Sequence, residues 1–271
     1  MIQFEIKDEK KFKYIETSPG KTPIVLLHGL LGALSNFDGI IHGFSDRYNI
    51  LVPILPLFEI SPRSLTVMNL VGYVEDFIKY KNFDKVHVLG NSLGGHIAQL
   101  YTMKHPEKVI SMTLTGSSGL FESAMGSTFP KRGNYEFIKK KAEDVFYNPA
   151  IATKELVDEV YETVNNLKRA ICVVAIAKSA VRHNLEDKLH LIEKPTLLVW
   201  GIQDSVTPLW VGEKFNELLK NSLLVKVDKC GHAPMMELPD LFNIALNDFL
   251  VKIEAGTFTD DPKETYTLSP E

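Results

Sequence analysis

Apolar residues fall along this chain in two rhythms. Short unbroken runs rich in β-branched residues occur at Pro23–Leu27, Lys85–Leu89 and Pro195–Trp200, with a more polar run at Val109–Thr115 and another at Leu223–Val227. Gly29, Gly90, Gly116 and Gly201 close the first four of these. A strand covered on both faces has no reason to alternate, so such runs predict buried strands of a parallel sheet. Short core helices would suit the same runs, but the glycine punctuation argues for strands.

Between the runs the period lengthens. Leu93–Lys104 places Leu93, Ile97, Leu100 and Tyr101 on one helical face and stops before His105-Pro106. Thr207-Pro208 predicts a helix start, with threonine as cap and proline in the first turn, running to about Lys220. Pro239-Asp240 opens a last helix ending near Val251. Strands alternating with helices predict an α/β fold: a doubly wound, mostly parallel sheet with right-handed crossovers.

The alternation breaks over 120–189. No strand run occurs there, but Tyr135–Phe146, Lys154–Val164 and Leu167–Val181 carry amphipathic helical patterns. We read this stretch as a helical cap inserted over the carboxyl edge of the sheet, dividing the core into 1–119 and 190–253. Residues 254–271 turn polar and read as a tail outside the fold.

Composition narrows the function classes. With 271 residues, 45% hydrophobic and 24% charged, the chain can bury a large core without disulfides or a structural metal. A net charge of −4 argues against a nucleic-acid partner, so the run Lys139-Lys140-Lys141 reads as a solvated helix face. No apolar stretch is long enough to span a membrane. Its amino-terminal residues lack the continuous hydrophobic region of a secretory signal, and the two cysteines, Cys172 and Cys230, show no metal-ligand spacing. A soluble, cytoplasmic protein with no metal or organic cofactor is expected.

The chemistry concentrates at Gly90-Asn91-Ser92-Leu93-Gly94-Gly95, directly after a strand run and directly before a helix. A serine on so tight a corner is presented with its Oγ exposed, and only small flanking residues tolerate the close backbone approach. The helix N-terminus beside it offers free N–H groups where an oxyanion would form. A glycine-rich packing turn is the competing reading of the same residues.

Serine needs a base, and the chain has eight histidines. His232, in Cys230-Gly231-His232-Ala233-Pro234, follows the last strand run and so belongs on the same sheet edge as Ser92. His87 inside a strand and His105 at a helix end read as structural, and His28 beside Gly29 as loop-shaping. The base in turn needs an orienting carboxylate. Asp204 lies just beyond a strand and before a helix; Asp228 is its rival, Asp84 and Asp187 are weaker, and a turn or capping role is the alternative for Asp204.

These residues resemble the α/β-hydrolase superfamily over nearly the whole chain, to about Val251. His28-Gly29-Leu30-Leu31-Gly32 is similar to its oxyanion loop, Gly90–Gly94 to its nucleophile elbow, and Gly201-Ile202-Gln203-Asp204 and Gly231-His232 to its acid and histidine loops. The resemblance implies a triad of Ser92, Asp204 and His232, an oxyanion hole from the N–H groups of Leu30 and Leu93, and a cap that shapes a small-molecule site. It implies hydrolysis of a carboxylic ester or related acyl bond. Two alternatives stay open: a C–C bond hydrolase of a vinylogous diketone, and a non-turnover receptor for a small ligand. The Gly-Asn-Ser-x-Gly-Gly form is similar to the C–C hydrolases, whereas Leu30-Leu31-Gly32-Ala33 departs from their usual oxyanion loop.

Overall fold

The computed structural model describes residues 5–30, 34–121, 132–258 and 263–270. Nine strands form one sheet: β1 (Lys7–Glu9), β2 (Phe12–Glu16), β3 (Pro23–Leu27), β4 (Asn49–Pro53), β5 (Val86–Asn91), β6 (Val109–Thr115), β7 (Thr196–Gly201), β8 (Ser222–Val227) and β9 (Thr265–Leu268). Their spatial order is β1-β2-β4-β3-β5-β6-β7-β8-β9. β1 pairs with β2, and β2 with β4, antiparallel; from β4 through β3 to β9 every pairing is parallel. The five apolar runs became β3, β5, β6, β7 and β8. Every residue of β5 and β7 is buried, as helices on both faces require.

The described helices are α1 (Asp38–Phe44), α2 (Val67–Tyr80), α3 (Leu93–Lys104), α4 (Tyr135–Glu143), α5 (Lys154–Asn165), α6 (Leu167–Arg182), α7 (Leu209–Leu218), α8 (Pro234–Glu237) and α9 (Pro239–Glu254). One apolar cluster joins α2, α3, α6 and α7 to one sheet face, and a second joins α1, α8 and α9 to the other. α2 shows why these segments coil. Thr66 accepts the Asn69 N–H at 3.1 Å as a cap, and Val67, Leu70, Val71, Val74, Phe77 and Ile78 form one buried stripe.

Among the described residues between β6 and β7, three α-helices occur, α4 to α6. α6 docks on the core by burying Cys172, Ile176 and Ala180, and Ser179 Oγ accepts the Val67 N–H at the start of α2 at 3.0 Å. Leu185 N–H returns to Gly119 O at 2.8 Å, so the insertion leaves and rejoins the core at one place.

Two expectations need correction. The polar segment 254–271 is not a tail outside the fold: α9 runs on to Glu254, and Thr265–Leu268 pairs with β8 as a ninth strand. An edge strand needs backbone partners and one half-covered face, not an apolar run, so polarity alone concealed it. Thr207 does not cap α7, which begins at Leu209 after Pro208; its hydroxyl has another partner, described below. Met125, Leu31 and Gly32 lie outside the described residues, as does Phe129.

Candidate active site

Ser92 stands where β5 turns into α3, with φ 52° and ψ −119°. That left-handed backbone costs a non-glycine residue roughly 1–2 kcal/mol and survives only where neighbours impose it. They do so closely. A Cβ on Gly94 would lie 1.9 Å from Leu27 O, and one on Gly90 would lie 2.3 Å from the Gly94 carbonyl. Ser92 N–H donates to Thr115 O at 3.2 Å, and Ser92 O accepts from His96 and Ser118 N–H groups. The corner is therefore held by β3, β6 and the first turn of α3.

The same sheet edge carries the other predicted residues. Gly29 comes so near the elbow that a Cβ there would sit 3.3 Å from Ser92 Cβ. His28, fully buried, accepts the Leu55 N–H on Nε2 at 3.0 Å, so its Nδ1 carries the proton facing Gly29 O at 2.8 Å. Burial pushes its pKa down, which keeps this ring neutral. Leu30 is half-buried beside it, and Leu93 opens α3 with an N–H that no preceding helical turn can accept.

Asp204 and His232 meet across the loops that follow β7 and β8. His232 Nδ1 lies 2.9 Å from Asp204 Oδ2. Because a carboxylate oxygen accepts, this bond puts the imidazole proton on Nδ1 and leaves Nε2 with its lone pair. Asp204 Oδ1 accepts the backbone N–H groups of Val206 and Thr207 at 2.8 and 2.9 Å. Its Oδ2 also accepts the Thr207 hydroxyl at 2.8 Å. Ser92, Asp204 and His232 are all buried, at 8, 5 and 8% exposure, so these contacts work in a partly dry site.

Two glycines and one amide tie the histidine loop to its neighbours at the elbow. A Cβ on Gly116 would lie 2.8 Å from His232 Nδ1, so that ring rests directly on the residue after Thr115. Gly116 also has φ +49°, a conformation glycine adopts without cost. Asn91 Nδ2 donates to Thr115 O at 3.0 Å and to His232 O at 3.3 Å, tying the elbow to the histidine loop. A Cβ on Gly201 would lie 2.0 Å from Gly231 O, which packs the acid loop against the histidine loop just as tightly.

The rival residues lie elsewhere. Asp228 is bound by Gln203 Nε2 at 3.0 Å at the surface, a contact that lowers its pKa. His87 is bonded to Ser111 Oγ inside the sheet, and His105 ends α3 beside Glu75. Two site residues escaped the sequence reading. Thr207 is visible in Asp204-x-x-Thr207, where the following Pro208 makes a helix cap the simpler reading, but its hydroxyl serves Asp204. Glu237, whose carboxylate accepts the Gly231 N–H at 2.8 Å, carried no sequence signal. Among the described residues, no group of three or more His, Cys, Asp or Glu could hold a metal, and no helix is long and apolar enough to cross a membrane.

The family model described as the alpha/beta hydrolase fold matches residues 22–239. This chain belongs to that family. It is 41% identical to MGS-MChE2, an alpha/beta hydrolase enzyme from the metagenome of lagoon sediments of Mar Chica, Morocco, with a TM-score of 0.77, over 92% of this chain and 99% of that one. Lipase 3 of Moraxella sp. (strain TA144) is 27% identical over 79% of this chain and 73% of its own length. A 2-hydroxy-6-oxononadienedioate/2-hydroxy-6-oxononatrienedioate hydrolase of Pseudomonas putida is 26% identical over 88% of this chain and 90% of its own. A lipase and a hydrolase of 2-hydroxy-6-oxo dienedioates thus both stand among the relatives of this α/β hydrolase.

Proposed function

We propose that the protein is a serine hydrolase that cleaves a carboxylic ester or related acyl bond of a small molecule through an acyl-enzyme. The observation that carries this reading is the buried Asp204–His232 pair at 2.9 Å, on the same sheet edge as a serine in a strained strand-to-helix turn. With Nδ1–H given to Asp204, His232 Nε2 accepts the Ser92 proton as the hydroxyl attacks the carbonyl carbon. The backbone N–H groups of Leu30 and Leu93 receive the oxyanion; one such donor is worth about 3–4 kcal/mol of barrier. His232 then protonates the departing alcohol, and a water, deprotonated by the same nitrogen, releases the acid. No step calls for a metal or an organic cofactor.

The α4–α6 insertion supports a cap role, because its segment after α4 touches both loops: Ser205 Oγ donates to Asp144 O at 2.8 Å, and His232 N–H to Val145 O at 3.0 Å. Carbon–carbon cleavage is the second reading, favoured by the P. putida relative.

The test is turnover with labelling. A fluorophosphonate should modify Ser92, and p-nitrophenyl esters of graded chain length should be hydrolysed by the wild type. Ser92→Ala should lose nearly all of this rate while its circular dichroism is unchanged. Labelling at another serine, or a Ser92→Ala variant that keeps most of the rate, would falsify the assignment. Turnover of a vinylogous diketone far faster than any ester would move the reading to carbon–carbon cleavage. Product release too slow for repeated turnover would make the protein a receptor.

A further inference from the structure

Five residues beyond His232, at the end of the one-turn α8, Glu237 folds its carboxylate back on the histidine loop. Oε1 accepts the Gly231 N–H at 2.8 Å, and Oε2 accepts the Tyr147 N–H at 2.8 Å. The N–H groups of Ala233 and Asn148 also point to it. One side chain therefore gathers backbone donors from both neighbours of His232 and from two residues of the strap that follows α4. The strap itself lies on the loop: His232 N–H donates to Val145 O at 3.0 Å. A Cβ on Gly231 would come 2.6 Å from Val145 O and 2.9 Å from Tyr147 N, so only glycine lets the two segments close.

We infer that Glu237 is a positioning residue that joins the helical insertion to the histidine loop, so that the placement of His232 depends on the insertion being seated. This rests on the reading of His232 as the base. The physical case is one of satisfaction. A half-buried carboxylate is costly unless donors surround it, and here the donors come from two segments distant in sequence. Burial raises the Glu237 pKa while those N–H groups oppose the rise, so carboxylate and donors depend on each other. Each oxygen serves a different segment, and neutral glutamine can replace only one of them: its NH2 would face an N–H.

The experiment joins hydrogen exchange to kinetics on Glu237→Gln. Peptides covering 144–150 and 229–234 should both exchange faster than in the wild type, while peptides from α3 are unchanged. kcat on a p-nitrophenyl ester should fall about 10- to 100-fold, the penalty of a displaced catalytic group, with KM within about threefold. Glu237→Asp, which keeps both oxygens on a shorter arm, should recover part of the loss. Faster exchange in only one of the two segments would overturn the inference, as would full kcat with both segments loosened.

If Glu237→Gln fails to fold, the wild type still decides. The amides of Tyr147, Asn148, Gly231 and Ala233 should then show protection factors within about tenfold of one another, as groups released by one opening do. Strap amides far less protected than loop amides would refute it. A His232→Ala variant with wild-type turnover would instead remove the base assignment, and the exchange results would be unaffected by that.

Discussion

Asp204 accepts four hydrogen bonds, from the Val206 and Thr207 N–H groups, the Thr207 hydroxyl and His232 Nδ1. The first three fix where the carboxylate points independently of the imidazole, as the orienting role proposed for it requires. Asp204→Asn should lower kcat by on the order of 10⁴, because an amide can present its NH2 to Nδ1 and favour the wrong tautomer. Thr207→Val keeps the shape and removes one bond to a charged acceptor. It should lower kcat on the order of 10- to 100-fold, the rate equivalent of the roughly 1.5–3 kcal/mol such a bond carries. Asp228→Asn should stay near the wild-type rate, since its side chain is engaged with Gln203 at the surface. Steady-state kinetics on the three variants checks the ranking; a larger loss at Asp228 than at Asp204 would reassign the acid. Thr207 also shows how a residue is misread. Thr-Pro before a helical pattern satisfies the capping rule and the triad-support role equally, and only the spatial nearness of Asp204 decides between them.

At the scale of elements, glycine punctuation makes most of the candidate site legible. Gly29, Gly90, Gly116 and Gly201 close strand runs because the carboxyl ends of β3, β5, β6 and β7 converge, and the close approaches at the elbow leave no room for side chains. β1, β2, β4 and α2 were not foreseen. β4 lacks the glycine that marks its neighbours, β1 and β2 meet at a polar turn with Lys10 at φ 57°, and β9 is too polar to stand out. The link between Glu237 and Tyr147 spans 90 residues, a separation at which one sequence carries no pairwise signal. The insertion's role can be tested where it departs from β6. Phe121 is exposed and its ring centroid lies 5.0 Å from that of Trp210, at the start of α7. If this aromatic pair borders the substrate entrance, Phe121→Ala and Trp210→Ala should each change the ratio of kcat/KM between long- and short-chain esters by about tenfold or more. Fluorophosphonate labelling of Ser92 should be retained. An unchanged ratio in both variants would place specificity elsewhere.

Over the whole molecule, the buried histidines govern how the fold responds to acid. His87 and His96 are held down to about 4 by burial, His87 against Ser111 Oγ and His96 with Nε2 facing His183 O. In the unfolded chain both return to roughly 6.5. Between those values the unfolded state binds protons that the native state refuses, so stability is complete above about pH 6.5 and falls as pH drops toward 4. Each ring accounts for on the order of 3 kcal/mol over that window, the equivalent of its displacement. Glu16 acts in a different window. Its pKa is held at about 2 despite burial, because Lys7, Lys81 and Asn49 bind the carboxylate, so its contribution persists above about 4.5 and is lost only below it. Urea unfolding at pH 7, 6, 5 and 4.5 should therefore show stability falling between pH 6 and 4.5, before carboxylate protonation contributes. Near pH 5 the slope should approach one proton, about 1.4 kcal/mol per pH unit, for each of these two rings, and buried His28, also held down, adds in the same direction. His96→Gln keeps a donor for His183 O and cannot titrate, so it should reduce that slope by about one proton while leaving the decline below pH 4.5 in place. A slope identical to the wild type's would mean that His96 takes up its proton without unfolding, and that its burial does not set the acid response.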